Sequence, residues 1–535
     1  MLKNYFKTAV RNLMRYKGFT FINISSLAIG ITGCLVIALF VWDELQYDKF
    51  IKGGENVYRF YDRRSDNVST SNSASVPPMF ATYVRQNYPE VESAMRILMQ
   101  SGKKLLEVNN VQAYEEKGIL TDGSFFDIFP LKLSKGNYNR VLDQPDAVIL
   151  SEDLARKYFG KQDPIDKIIK IDKSDFIVKG VLEKIPEHFH LDINYLVSYS
   201  SLNFPKERME SWGWQQFFTY IKVKPGTNVE QLQAKFQAAV KKEAEPIFKK
   251  NGFSYTPFLQ QLKNIHLQSA DFEFDIAKRG NETYVKGLTI IALFVLIIAC
   301  FNFINLATAR SFRRAKEIGV RKVVGADRKQ LVLQFTGETI LLSVVSMIIA
   351  AVATLIILPS LNNFTGKAIS FNLITNPFLA VLLVVAGIAI GVLAGIYPAL
   401  VLSGFQPIKV LKGMKPTGEG GSHTSWLRQA LVVIQFALSA LLIVSTTIVY
   451  RQINYLHNKD LGFNKEQIIQ FQVRGGVESN LESFKNELKR SPAIVSATAG
   501  YGLPGDVLAG DEIIVPTKEG EKTMPANLFI VDHDY

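Results

Sequence analysis

Five stretches of the chain carry no charged side chain and are strongly apolar: residues 18–42, 287–309, the run from just after Glu338 to Pro359, 378–400 and 429–450. A membrane-crossing helix needs about 20 such residues, and a helix of that length in a soluble protein normally keeps a charged face. The pattern therefore predicts spans at 19–42, 287–309, 336–359, 377–400 and 429–450. The first is too long for the apolar region of a signal peptide. No A-x-A site precedes the acidic pair Asp43-Glu44, so it reads as an uncleaved span. Across residues 43–286 the pattern changes. Short runs rich in Val, Ile, Phe and Tyr at 57–61, 147–150, 175–182 and 217–223 read as strands. Ser151 suits the cap of a helix through Phe159, with Gly160 as its stop and Asp163-Pro164 as the turn beyond. Asn228, with Gln231 at the capping-box position, opens an amphipathic helix to about Lys249. These elements predict an α+β domain between the first two spans.

Composition narrows the classes. With 47% apolar and 21% charged residues, the 535-residue chain is not a disordered tail. Two cysteines exclude a disulfide-stapled module. Both Cys34 and Cys300 fall inside spans, where they serve as small packing residues. The net charge of +12 fits either a nucleic-acid surface or the basic flanks of a membrane protein. Its location decides. Residues 1–18 hold Lys3, Lys7, Arg11, Arg15 and Lys17 with no acid, a net +5. The loop 310–335 nets +6 and the segment 401–428 nets +3, so the rest of the chain nets −2. The loop 360–376 has one lysine. The positive-inside rule makes the three basic segments cytoplasmic and puts 43–286 and 451–535 outside, and no nucleic-acid partner is expected. In the first basic segment Leu2, Tyr5, Phe6, Ala9, Val10, Leu13 and Met14 also make an apolar stripe. That predicts an amphipathic helix over 1–18, lying on the anionic inner face of the membrane.

Little in the outer segments points to chemistry. His188 and His190 form an H-x-H that reads as part of a loop, since no cysteine or third histidine lies near. No catalytic constellation stands out, so the chain does not read as an enzyme. In the spans, Gly387, Gly391 and Gly395, followed by Ala399, form a small-residue stripe suited to close helix packing. Asn302 and Asn305, one turn apart, read as interhelical contacts, with a substrate path as the alternative. Residues 451–535 repeat the outline of the first outer domain: a span, a polar stalk, then a strand-like run at 468–473. This repeat predicts a second outer domain begun at 451, a chain that is a fragment, and three further spans in a complete second copy.

The most informative segment is the +6 loop. Within it Arg310, Arg313, Arg314, Lys316, Arg321 and Lys322 are interrupted by Ile318, Val320, Val323 and Val324, and punctuated by Gly319 and Gly325. Charge alone allows either a positive-inside loop or a docking element. The run Glu317-Ile318-Gly319-Val320-Arg321-Lys322-Val323-Val324-Gly325-Ala326 resembles the E-I-G-[IV]-R-[KR]-x-x-G-A signature of MacB/FtsX-type ABC transporter permeases. Tyr397-Pro398-Ala399-Leu400, continuing through Ser403, Phe405, Pro407 and Leu411-Lys412-Gly413, is similar to that family's exit from its fourth span. Ile149-Leu150-Ser151-Glu152, Lys157-Tyr158-Phe159-Gly160 and Asp163-Pro164-Ile165 resemble its outer-domain motif, except that Asp166 stands where glycine is usual. Asn458-Lys459-Asp460-Leu461-Gly462-Phe463 resembles its stalk after the fifth span.

The resemblance, strongest to large bacterial forms with two fused halves, implies an α-helical membrane protein: a MacB-like periplasmic core domain with an FtsX-like transmembrane domain. It implies a multi-pass permease of the bacterial inner membrane, N-terminus cytoplasmic, acting as a homodimer or as paired halves. ATP hydrolysis by a cytoplasmic ABC ATPase would be coupled to outer work, as export or efflux, with an extracytoplasmic partner. The alternative is the same apparatus regulating an outer enzyme such as a cell-wall hydrolase. No G-x-x-x-x-G-K-[ST] occurs, so this chain carries no cofactor of its own and ATP would belong to the partner subunit. Arg313, Arg314, Glu317, Ile318, Gly319, Val320, Arg321 and Gly325 would form the coupling contact.

Overall fold

The structure, a computed structural model, describes residues 11, 14–65, 70–100, 102–137, 141–201, 204–251, 254–313, 320, 322–325, 327–373, 376–403, 421–460, 467–502, 510–517, 520–527 and 530–533. All of the N-terminal apolar stripe except Met14 therefore lies outside the described residues. Among the described residues five helices are long and apolar enough to cross a membrane: Lys17–Glu44, Glu282–Arg313, Arg328–Thr365, Pro377–Ser403 and Gly421–Asn458. The third keeps Pro359 inside it and ends at Gly366. By contacts the chain divides into two compact units, residues 1–448 and 449–535.

In the first unit a 13-stranded sheet lies between the first and second long helices. Its strands are β1 (Val57–Ser65), β2 (Thr70–Ser73), β3 (Val91–Met99), β4 (Lys104–Val108), β5 (Val111–Glu115) and β6 (Gly118–Thr121). They continue with β7 (Leu133–Gly136), β8 (Ala147–Ser151), β9 (Ile168–Ile171), β10 (Ser174–Leu182), β11 (Tyr195–Ser198), β12 (Phe218–Val223) and β13 (Ser254–Gln261). The order is β13-β1-β12-β3-β6-β11-β8-β10-β9-β4-β5, with β2 on β1 and β7 on β10. Two pairings, β6 with β11 and β8 with β10, are parallel. The strand at the start of the domain, β1, pairs with the last two, β12 and β13, so both ends of the domain return to one place.

Local signals explain much of this. The four strand-like runs between 57 and 223 fall in β1, β8, β10 and β12. Ser151 caps the helix Glu152–Phe159 through Leu154 N–H, and Gly160 ends it at φ +61°, a left-handed value that glycine takes without a Cβ clash. Asp166 adopts φ +58° in the following turn, the same left-handed region, and its carboxylate holds Lys179 at 2.7 Å. Asn228 caps its helix by accepting from Gln231 N–H at 3.0 Å. That helix is shorter than expected. It stops at Glu243, and a separate helix, Glu245–Asn251, follows, because Pro246 has no N–H to continue the ladder. Three apolar clusters fill the domain, centred on Phe125, Phe129 and Phe189; on Leu150, Tyr158 and Val178; and on Phe60, Phe80 and Phe236.

A separate cluster joins the long helices through Leu27, Ile31, Ala299, Phe303, Leu342 and Met347. The first helix packs on the second and third, and the fourth on the second and third. Gly391 sits so close to the third helix that a Cβ there would lie 2.6 Å from Ile340 Cα. At Gly387 the nearest atom would be Met347 Cβ at 3.4 Å, and at Gly395 a Cβ would strike Thr339 Oγ1. The third helix hydrogen-bonds across the same seam, Ser343 Oγ to Gly387 carbonyl at 2.7 Å and Thr339 Oγ1 to Gly391 carbonyl at 3.0 Å. Asn305 Nδ2 donates to Gln435 Oε1 of the fifth helix at 3.3 Å.

The second unit contains a short helix Leu481–Lys489 and a hairpin of strands Gly510–Thr517 and Gly520–Asn527. The buried Lys485 pairs with Asp532 at 2.7 Å. The strand expected at 468–473 is not there. The described residues of that run have no regular structure, and Ile468, Ile469 and Phe471 are exposed. Alternating apolar residues make a strand only when a neighbouring strand completes its hydrogen bonds.

Candidate functional site

The coupling residues expected from sequence are only partly in view. Arg314, Glu317, Ile318, Gly319 and Arg321 lie outside the described residues, and Arg313 is described only as helical backbone. Val320, Val323 and Val324 are exposed, and Gly325 turns the chain at φ +98° just before the third long helix begins. That helix opens with Arg328, Lys329, Val332 and Leu333, which line a shallow groove mixing bases with apolar side chains.

The best-defined polar site lies elsewhere, where the first long helix meets the sheet domain. The helix ends on Asp43 and Glu44, both buried. Lys367, on the link between the third and fourth helices, places its ammonium 2.6 Å from Asp43 Oδ2 and 2.6 Å from Glu44 Oε1. The other oxygen of each carboxylate is also occupied. His188 Nε2 lies 2.6 Å from Asp43 Oδ1, and His266 Nε2 lies 3.1 Å from Glu44 Oε2. His266 Nδ1 in turn faces the Lys278 carbonyl at 2.7 Å. Both partners of that ring are oxygen acceptors, a carboxylate on one side and a backbone carbonyl on the other. Tyr47 covers the cluster, its ring stacked on His266 with centroids 3.4 Å apart.

Gly280 closes the far side. A Cβ there would collide with Glu44 Oε2 and lie 2.8 Å from His266 Nε2, so only glycine lets the chain pass on its way into the second helix. Burial works against the Lys367 charge, but the hydrogen bonds it donates to Asp43 and Glu44 and the field of Glu44 outweigh that. Its proton is held above the ordinary lysine range. Removing one partner from an ion pair this deeply buried costs about 3–5 kcal/mol.

A second chain of polar groups runs from this junction into the sheet. Asp48 Oδ1 accepts from the backbone N–H of His190 at 3.1 Å and lies 2.8 Å from its Nδ1, and His190 Nε2 is 2.9 Å from the Tyr220 hydroxyl. Tyr220 faces Arg59 across the β1–β12 register. Arg59 is fully buried and donates to Asp275 at 2.7 Å, Gln260 at 2.8 Å and Ser269 at 3.0 Å. Of the two histidines of the H-x-H, His188 thus holds an acid at the end of the first helix and His190 one just beyond it. Their pairing with acids some 140 positions away left no local signal. Lys367 entered the sequence reading only as a lone charge in a sparsely charged loop.

Two family models match the chain. The MacB-like periplasmic core domain covers residues 20–239, and the FtsX-like permease C-terminal covers residues 289–407. The macrolide export ATP-binding/permease protein MacB of Mannheimia succiniciproducens is 24% identical over 412 residues, 74% of this chain and 59% of that protein. The ABC transporter permease YvrN of Bacillus subtilis is 21% identical over 345 residues, 61% of this chain and 77% of that protein. The periplasmic region of MacB from Actinobacillus actinomycetemcomitans is similar to 41% of this chain over 94% of its own, at 17% identity and a TM-score of 0.31. This chain thus spans 59% of the length of the Mannheimia relative. The two models occur in sequence order with an apolar helix at each junction, and the chain is a multi-pass membrane protein that belongs to the MacB/FtsX-type ABC transporter permeases.

Proposed function

We propose that this chain is the membrane subunit through which a separate ABC ATPase, bound on the cytoplasmic side, moves an outer domain to export cargo. One observation carries the reading: the sheet domain lies in sequence between the first two long helices, and a buried charged joint fastens it to the end of the first and to the link after the third. Force on the helices therefore has a stiff path to the sheet. The N-terminus and the basic segments 310–335 and 401–428 lie in the cytoplasm of a bacterial cell and the sheet domain outside its inner membrane. The exposed Val320, Val323 and Val324, set among bases, support docking of the ATPase on 310–326, with Glu317 to Arg321 at the centre. Two copies or paired halves work together, and an outer partner receives the cargo. The name of the Mannheimia relative, macrolide export, favours efflux as the direction of the work.

The test is co-purification. Wild-type chain is expected to bring down a soluble ATPase. Glu317→Lys and Gly319→Trp are each expected to reduce the yield at least about tenfold, since a like charge or a bulky ring at the centre of a contact costs several kcal/mol. Undiminished ATPase in both variants would remove 310–326 as the docking segment. A bound hydrolase with no exported substrate would turn the reading to regulation.

A further inference from the structure

We propose that Lys367 is a positioning residue: by bridging Asp43 and Glu44 it pins the link between the third and fourth helices to the base of the sheet domain, so that movement of the helix bundle reaches the sheet through this clasp. The inference rests on the transporter reading above.

Geometry argues for a clasp. A surface ion pair joins two flexible side chains and contributes little. Here the ammonium meets two carboxylates at 2.6 Å each, and side-chain exposure is 16% for Lys367, 10% for Asp43 and 7% for Glu44. The carboxylates cannot swing toward other partners, because His188 and His266 hold their remaining oxygens. The lysine is fixed as well. Its ammonium lies 5.3 Å from the centroid of the Phe40 ring and 5.4 Å from that of Tyr47. Its backbone is set by Lys367 N–H donating to the Asn362 carbonyl at 3.2 Å, beside Gly366 at φ +65°. Asn362 also ties the link to itself, exchanging bonds with the backbone of Ile369 at 3.0 and 3.1 Å.

The groups come from separate elements, with the two carboxylates sharing one. Asp43 and Glu44 end the first helix, and His188 belongs to the loop before β11. His266 belongs to the helix Leu262–Gln268, and Gly280, packed on Glu44, leads into the second helix. Lys367 is the member of the cluster that comes from the link between the third and fourth helices.

The experiment uses the full chain in nanodiscs, as wild type, Lys367→Met and Lys367→Arg. First, hydrogen exchange is followed in the chain alone. Lys367→Met is expected to speed exchange at residues 43–48 and 362–371 by about tenfold or more, since local opening free energy falls with the lost pair. β1 and β12 should stay unchanged, and Lys367→Arg should restore protection. Unchanged exchange at both segments in Lys367→Met would overturn the clasp. Second, the same exchange is read with and without ATP in the complex with the co-purified ATPase. Lys367→Met is expected to bind the ATPase as wild type does and to lose the ATP-dependent change in residues 186–192 and 254–268, with Lys367→Arg retaining it. An undiminished ATP response in Lys367→Met would overturn the transmission role. If wild type binds no ATPase, the transporter reading falls and transmission falls with it, and the clasp is decided by the first measurement. Should Lys367→Met fail to insert, Glu44→Gln opens the same pair and replaces it in both arms.

Discussion

At the scale of single residues, the sheet domain tolerates costly groups away from the junction. Asp62 on β1 is fully buried. Its Oδ2 accepts from Gln215 Nε2 at 3.3 Å, while Oδ1 has no hydrogen-bond partner among the described residues. Burial raises its pKa well above the ordinary 3.8, with the field of Arg64 opposing. The sign follows. An acid that holds its proton more tightly when folded is least costly below its unfolded pKa. Stability is then lost as pH rises from that value through the folded one. Asp62→Asn is therefore expected to stabilise the protein at pH 8 by about 1–3 kcal/mol, the cost of an unsatisfied buried polar group, and to have little effect near pH 3. Chemical denaturation of the two proteins at both pH values checks this, and equal stability at pH 8 would refute it. Arg64 keeps Glu273 as a charged neighbour in the variant. Nothing in the polarity pattern of β1 distinguished Asp62 from the solvent-facing polar residues around it. The pattern shows alternation, and β2 and the loop near Gln215 decide which positions are covered.

At the scale of elements, the seam between the third and fourth helices separates three glycines that look alike in sequence. The stripe 387, 391, 395 was legible because small residues recur every fourth position on one helix face. Their inequality was not legible, because it depends on how the partner helix crosses. A methyl at 391 would sit 2.6 Å from rigid backbone at Ile340, whereas one at 387 meets only ordinary van der Waals contact at 3.4 Å and beyond. Gly391→Ala is thus expected to destabilise the bundle by about 1–3 kcal/mol, the usual cost of overpacking, and Gly387→Ala by much less. Thermal unfolding of the two variants in one detergent distinguishes them, and equal losses would contradict the close approach at 391. Caps were equally readable, since Ser151 and Asn228 act on N–H groups three residues away. The early end of the second capped helix was also present in sequence, as Pro246. The run 468–473 shows the opposite case, a strand-like pattern with no pairing among the described residues.

At the scale of the whole molecule, the sheet domain and the membrane helices have separate apolar cores. The three clusters of the sheet domain draw on residues between Ile51 and Ala277, while the membrane cluster draws on residues before 41 and after 295. A domain with its own core can fold alone. An excised segment 45–281 is expected to be soluble, with circular dichroism typical of mixed helix and strand and a single cooperative unfolding transition. An aggregated or non-cooperative product would show that the junction is required for folding rather than for coupling. The pairing of β1 with β12 and β13 makes excision practical, because it brings both ends of the segment together.

What the sequence determined by itself was local. Apolar runs of membrane length, period-two strands, caps, breakers and the placement of basic segments all arise from neighbours within one or two turns, where backbone geometry alone relates the side chains. The strand order was decided only in the tertiary structure, and so was the junction. Asp43, Glu44, His188, His266 and Lys367 are spread over more than 300 positions. Each reads as an ordinary polar residue until the fold buries the two carboxylates among the three bases. Burial then turns scattered charges into obligatory partners, because a charge taken out of water must find its counterpart at hydrogen-bonding distance or lose its proton.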